Sequence, residues 1–145
     1  MIILDTTVLL YAVGVDHPFK TPCQRLVQAV SDGEINATTT VEVIQEFAHV
    51  RARRRDRKDA AALARDYVEL LGPLLLVEEA DLREGLRLFE ESSRIGAFDS
   101  VLAAAAHVVG AEALVSADAG FATVPRLRHV LPDEAGVRQL LNAES

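Results

Sequence analysis

The sequence has a single cysteine, Cys23. One thiol cannot close an internal disulfide or build a cysteine-rich zinc site, so both frameworks are excluded. Cys23 lies in a helical stretch and is expected to be a small core residue. No apolar run approaches the roughly 18–20 residues of a membrane span. The opening Met1-Ile2-Ile3-Leu4-Asp5 has no basic stretch before its apolar residues, so a secretory signal is not expected. Positive charge is also in short supply, since 15 Lys+Arg against 22 Asp+Glu leave −7. That balance argues against holding nucleic acid by net charge alone. Internal repeats, low-complexity tracts and linkers are missing too. What is present is 145 residues, half of them hydrophobic and 26% charged, which is enough apolar material for the core of one domain. The expectation is a soluble, acidic, cytoplasmic single domain over residues 1–145.

Short apolar runs alternate with longer helical patterns, which marks an α/β fold with a mostly parallel sheet of four or five strands flanked by helices. Ile2-Ile3-Leu4 reads as a first strand buried on both faces, because it does not alternate. Helices are expected over Thr6–Val13, from Pro18 to about Ser31, from about Thr39 to Arg53 and from about Lys58 to Leu71, the last stopped by Gly72-Pro73. Ile35-Asn36-Ala37 reads as a weak second strand and Leu74-Leu75-Leu76-Val77 as a third. Glu79–Ser92 is amphipathic, with Leu82, Leu86 and Phe89 on one stripe. Asp99 is expected to open an Ala-rich helix running to about Val109. Ala113-Leu114-Val115 is a fourth strand and His129-Val130-Leu131 a fifth, on an edge.

The carboxylates carry the chemical information. Asp5 follows the first strand, and Asp118 lies three residues after Val115. Ligands of open parallel sheets bind beyond the carboxyl ends of strands, near a switch in strand order. If the strands before Asp5 and Asp118 are neighbours, both acids face one crevice, and Asp99 should lie at the same edge. Glu42 and Glu46, four residues apart, share a helical stripe with His49 and Arg53. Each acid has an ordinary alternative: Asp5 and Asp99 could cap helices, Asp118 could sit in a turn, and a helical Glu is commonly solvated. Together they would repel one another unless a cation neutralised them, and oxygen-only ligation suits Mg²⁺ or Mn²⁺.

Four motifs in order resemble those of PIN domains, and the match covers nearly the whole chain. They are Ile2-Ile3-Leu4-Asp5-Thr6-Thr7, Val43-Ile44-Gln45-Glu46-Phe47, Phe98-Asp99-Ser100-Val101-Leu102-Ala103, and Leu114-Val115-Ser116-Ala117-Asp118-Ala119-Gly120-Phe121. The size of the chain is similar to that of the VapC-type toxins of bacterial toxin–antitoxin pairs. Glu42 could stand in for Glu46, although Gln45-Glu46-Phe47 is closer to the family motif. Many relatives carry a charged residue after the fourth Asp; Ala119-Gly120 follows it here, so an auxiliary ligand is not assigned.

The resemblance implies metal-dependent RNA hydrolysis that leaves a 5′-phosphate and a 3′-hydroxyl. Asp5, Asp99 and Asp118 would hold one or two Mg²⁺ or Mn²⁺ ions, and Glu46 would bind a second ion or orient a water. Thr6 and Ser116 would orient the carboxylates. Arg51, Arg53, Arg54, Arg55, Arg57 and Lys58 place six of the 15 cations in one block after the Glu46 helix. That block is expected to contact RNA phosphates, its ordinary alternative being a solvated helix end. The resemblance further implies a tRNA or ribosomal RNA substrate, a homodimer, and a small antitoxin that blocks the acidic site. Operator DNA would be bound only through that antitoxin. A housekeeping RNA-processing nuclease and an inactive PIN-like partner-binding module are the competing readings. A receiver domain would need a lysine after a late strand, and the lysines are Lys20 and Lys58. A haloacid-dehalogenase-type phosphatase would need Asp-x-Asp, and position 7 is Thr.

Overall fold

Ile2-Ile3-Leu4 is buried on both faces, as a run without alternation requires, and forms β1 (Ile2–Leu4) in a computed structural model that describes residues 1–143. The chain then passes through α1 (Thr6–Val13), α2 (Lys20–Ser31), β2 (Ala37–Thr38), α3 (Val41–Arg54), α4 (Arg57–Leu71), α5 (Glu79–Glu91) and α6 (Ala97–Val108). It ends with β3 (Ala113–Val115), a 3₁₀ turn at Ala119–Thr123, β4 (His129–Val130) and α7 (Glu134–Ala143). The sheet is parallel throughout, in the order β2-β1-β3-β4. Leu4 is in register with Val115, and Val115 with Val130, so these three strands end level. From β1 the chain goes first to one side and later to the other. The β1/β3 boundary is therefore the switch in strand order, and a crevice opens beyond the ends of those two strands.

The helices that flank this crevice start where capping side chains start them. Thr40 accepts the Val43 N–H at 3.2 Å ahead of α3, and Asp56 accepts the Asp59 N–H at 2.8 Å ahead of α4. Fully buried Phe47 meets Tyr67 edge-on at 5.0 Å, while the Tyr67 hydroxyl donates to the Leu9 carbonyl at 2.9 Å. Those two contacts hold α3 and α4 against α1, and so fix where Glu46 sits relative to Asp5. Cys23 lies fully inside the core, and burial pushes its thiol up to about 12.

Four sequence expectations need correction. Leu74–Val77 does not join the sheet; only Leu75 bridges, to Thr40. The reason is that β2 is two residues long and the chain turns into α3 at Val41, so no ladder remains to extend. Leu76 is 73% exposed. The second strand lies two residues later than Ile35–Ala37, at Ala37–Thr38, though the Asn36 carbonyl still accepts from the Ile2 N–H. The face of α5 that packs inward is Asp81, Gly85 and Leu88, leaving Leu82, Leu86 and Phe89 half-exposed. A Cβ on Gly85 would stand 2.6 Å from the Val101 Cα, so this glycine sets a close crossing with α6 and rotates the leucine stripe outward. Finally, Asp99 does not cap α6. Gly96 occupies that position, so Asp99 falls in the first turn and its carboxylate is free to turn toward the strand ends.

Candidate active site

The backbone first brings two acids to one edge. The Asp5 N–H donates to the Val115 carbonyl at 3.0 Å, and the Ser116 N–H donates to the Val130 carbonyl at 3.1 Å, so the ladder continues one residue past each strand. Asp5 occupies the N-cap position of α1 but makes no capping hydrogen bond of ordinary geometry. Its Oδ2 instead accepts from the Ser116 hydroxyl at 2.7 Å and from the Thr7 hydroxyl at 3.1 Å. The side chain is 3% exposed. Burial raises its carboxyl above the usual range, opposed by Ser116, the backbone of Thr6 and Thr7, and the Thr7 hydroxyl.

Ser116 then couples Asp5 to the loop that carries Asp118. Its oxygen, fully buried, accepts from the Asp118 N–H at 3.0 Å. The Asp118 side chain accepts from the Gly120 N–H at 2.8 Å, opening the 3₁₀ turn. Asp118 is thus a turn residue and a neighbour of the other acids at once. From beneath, His129 Nε2 lies 2.8 Å from the Ser116 carbonyl, to which it donates when protonated at that nitrogen. Gly120 is required by close approach, because an added Cβ would lie 2.3 Å from the Arg94 carbonyl oxygen and 3.0 Å from Asp118 Oδ1. Gly120→Ala is expected to cost about 1–3 kcal/mol in chemical denaturation, since backbone rather than a flexible side chain must move.

Glu46 and Asp99 complete the group. Burial raises the Glu46 carboxyl, the Thr6 hydroxyl lowers it, the nearby Asp5 charge raises it and His49 lowers it. Asp99 is pushed up to about 7, first by burial, then by Asp5, by a hydrogen bond with Asp118, and by the charges of Asp118 and Glu46. Four carboxylates from β1, α3, α6 and the β3 loop therefore act on one another. Asp118 is one of the neighbours that hold the Asp99 carboxyl above the usual carboxylate range. Among the described residues, no three His, Cys, Asp or Glu side chains already close on one point at metal-holding distance. The donor set is nonetheless all oxygen, acidic and partly desolvated, which fits a hard divalent cation.

Several side chains fall elsewhere than expected. The Thr6 hydroxyl acts on Glu46 but forms no hydrogen bond of normal geometry, and it is Thr7 that joins Ser116 in holding Asp5. Thr7 was legible only as the position two residues into a helix, from which a hydroxyl can return to the cap. Glu42 does not join the acids: it lines a separate apolar cleft with Leu82, Leu86 and Phe98, where one of its oxygens is buried without a partner. Arg51 is not part of a free basic surface. It is 8% exposed, pairs with Asp59 at 2.7 Å and donates to the Val13 carbonyl at 3.1 Å. Arg53, Arg54, Arg55, Arg57 and Lys58 remain exposed around the turn from α3 to α4.

Comparison with known proteins places this arrangement. The family model described as the PIN domain matches residues 2–127. Ribonuclease VapC7 of Mycobacterium tuberculosis is 54% identical over 97% of this chain and 98% of its own length. Ribonuclease VapC23 of the same species is 32% identical over 68% of this chain and 78% of its own. Among solved structures, M. tuberculosis VapC20, described as a sarcin–ricin loop cleaving toxin, superposes with a TM-score of 0.67 at 14% identity, covering 79% of this chain and 87% of that one. VapBC2 of Rickettsia felis, solved with a DNA fragment from its promoter, gives 0.69 at 17% identity over 90% of this chain and 98% of that one. At such identities the two structures speak for the fold, whereas the matched model and the 54% identical relative decide descent. The chain belongs to the PIN-domain family and, within it, to the VapC-type ribonucleases.

Proposed function

We propose that residues 1–145 form one metal-dependent endoribonuclease domain that acts as the toxin of a toxin–antitoxin pair. The observation that carries this reading is the convergence of Asp5, Glu46, Asp99 and Asp118 beyond the ends of β1 and β3, in a chain 54% identical to a ribonuclease. Asp5, Asp99 and Asp118 would hold Mg²⁺ or Mn²⁺, as one or two ions, with Glu46 beside them. A bound ion of this class acidifies water and neutralises charge on phosphate oxygens. The protein's own part is to keep the carboxylates desolvated and aimed. Ser116 and Thr7 occupy Asp5 Oδ2 and so leave its second oxygen free of side-chain hydrogen bonds. The Gly120 N–H likewise pins Asp118 Oδ1. Glu46, its carboxyl raised first by burial and then by the Asp5 charge, would orient a water or hold a second ion.

Arg53, Arg54, Arg55, Arg57 and Lys58 supply the phosphate contacts that the net charge of −7 conceals. Replacing Arg53, Arg54 and Arg55 by Ala is expected to weaken RNA binding and to reduce the slope of log affinity against log salt by about 2–3. An unchanged slope in a titration of labelled RNA would return the block to the status of a solvated helix end. The substrate is a tRNA or ribosomal RNA, read in an exposed loop. The half-exposed face of Leu82, Leu86, Phe89 and Phe98 supports a homodimer. The antitoxin, which would cover the acidic site, is the element that contacts operator DNA. No helix among the described residues is long and apolar enough to cross a membrane, and the cytoplasm is the proposed location.

Two measurements together test the reading. Purified protein should cut RNA with Mg²⁺ or Mn²⁺ and stop with EDTA. Its induction should arrest bacterial growth, with rescue by a short adjacent reading frame. Cleavage without growth arrest would favour a housekeeping nuclease, and no metal-dependent cleavage of any RNA would favour a partner-binding module.

A further inference from the structure

Away from the acids, the solvent side of α1 presents an unexpected surface. Thr7, Leu10, Tyr11 and Gly14 are all partly exposed, at spacings that place them on one face of the helix. That face begins at the acidic site, where Thr7 holds Asp5, and ends in a cleft of about 580 Å³ lined by Tyr11, Val13, Val15 and three arginines, Arg51, Arg54 and Arg55. Arg51 is paired with Asp59, and among the described residues Arg54 and Arg55 form no ion pair. Tyr11 is the ring in the cleft wall, and two rings of the loop that follows α1 cluster on it. Tyr11 stacks on His17 at 4.4 Å with a 33° tilt, and Phe19 meets Tyr11 and His17 edge-on at 5.5 and 5.1 Å. His17 is exposed and held in place, because its Nδ1 accepts the Phe19 N–H at 3.0 Å. Val15 beside it is 86% exposed.

We infer that this aromatic and arginine cleft is a stacking site for an unpaired base of the RNA strand, with Arg54 and Arg55 on the flanking phosphates. The inference rests on the ribonuclease reading and adds to it a place where single-stranded character is recognised. Rings give every base a π-face, and the neighbouring guanidinium groups take the backbone. An acidic peptide would engage the two arginines but leave the rings unused. Asp16 is the one acid on the loop between α1 and α2, and Arg54, Arg55 and Lys20 outnumber it. The distance is also suitable. The eight residues of α1 span about 12 Å, so one unpaired strand could reach from the cleft to the acids.

The test compares a short unpaired RNA with the same sequence paired as a duplex, each labelled and titrated in EDTA so that nothing is cut. His17→Ala and Tyr11→Leu should each bind the unpaired strand about tenfold more weakly and the duplex as the parent does. Tyr11→Phe, which keeps the ring, should stay within about twofold of the parent. Thermal melting checks the fold, and exposed His17 decides the matter if Tyr11→Leu is unstable. If the parent protein binds and cuts RNA while both ring variants bind the unpaired strand normally, the stacking site falls and the nuclease reading stands. Loss of binding to a poly-glutamate peptide with RNA binding intact assigns the cleft to a protein partner and also overturns the proposal. A parent protein that neither binds nor cuts any RNA removes both readings.

Discussion

Asp5→Asn is expected to lower RNA cleavage by about a thousandfold or more while leaving the protein folded. The asparagine side chain keeps the shape of Asp5 and retains one oxygen to accept from Thr7 and Ser116, the two hydroxyls that hold the native carboxylate. What it loses is the charge. Asp5 is 3% exposed and lies at the centre of the cluster, where its charge is felt by both Glu46 and Asp99. A buried, single negative charge at that point is valuable only to something positive, so its removal should spare stability and abolish cation retention. Gel analysis of RNA products, beside a melting curve in EDTA, separates the two effects. A folded Asp5→Asn protein with full nuclease activity would remove the proposed site.

Asp99→Asn should abolish cleavage to a similar degree, and its stability should move the other way. In the folded, metal-free protein Asp99 is raised from 3.8 to about 7. Between those values the native state holds a proton that the unfolded chain has released. Stability therefore declines as pH rises through the interval, and the loss is complete above about 7. Asp5 and Glu46 are raised as well and contribute with the same sign. The metal-free protein should accordingly melt higher near about pH 5 than near about pH 8. Asp99→Asn should flatten that slope and raise the melting temperature at the higher pH. Mg²⁺ should stabilise the parent protein there and have little effect on the variant. Equal pH slopes for the two proteins in EDTA would show that Asp99 does not carry the raised charge.

What could be read from the sequence was whatever depends on short-range pattern. The apolar triplet before Asp5, the helix of Thr6–Val13 and the strand of Ala113–Val115 lie where they were expected, because each is bounded by a strong local signal. The neighbourhood of Asp5 and Asp118 followed from one topological condition, that β1 pairs with β3. Four features were not legible, three of them for a long-range reason. Leu74–Val77 has strand composition but no ladder to join. The leucine stripe of α5 is turned outward by the close packing of Gly85 on Val101, a contact between segments 16 residues apart in number and on different helices. Arg51 belongs to a run of cations by sequence, yet its partners are Asp59 and the Val13 carbonyl. Thr7 and Thr6 differ only in which way the first turn of α1 points them.

The contact of Arg51 has a metrical consequence. It joins the end of α1, the end of α3 and the first turn of α4 through an ion pair, buried on its arginine side, and a backbone carbonyl. To swing the turn from α3 to α4 away, the protein would have to strip Arg51 of both partners in a poorly solvated place, which is strongly unfavourable. Glu46 and Arg53 already stand about 10 Å apart along seven residues of one helix, and the Arg51 contacts hold the turn that follows in place against α1. A strand gripped at that turn would be presented to the acids at a constant offset. The turn between α3 and α4 would then act as a fixed post and not as a hinge.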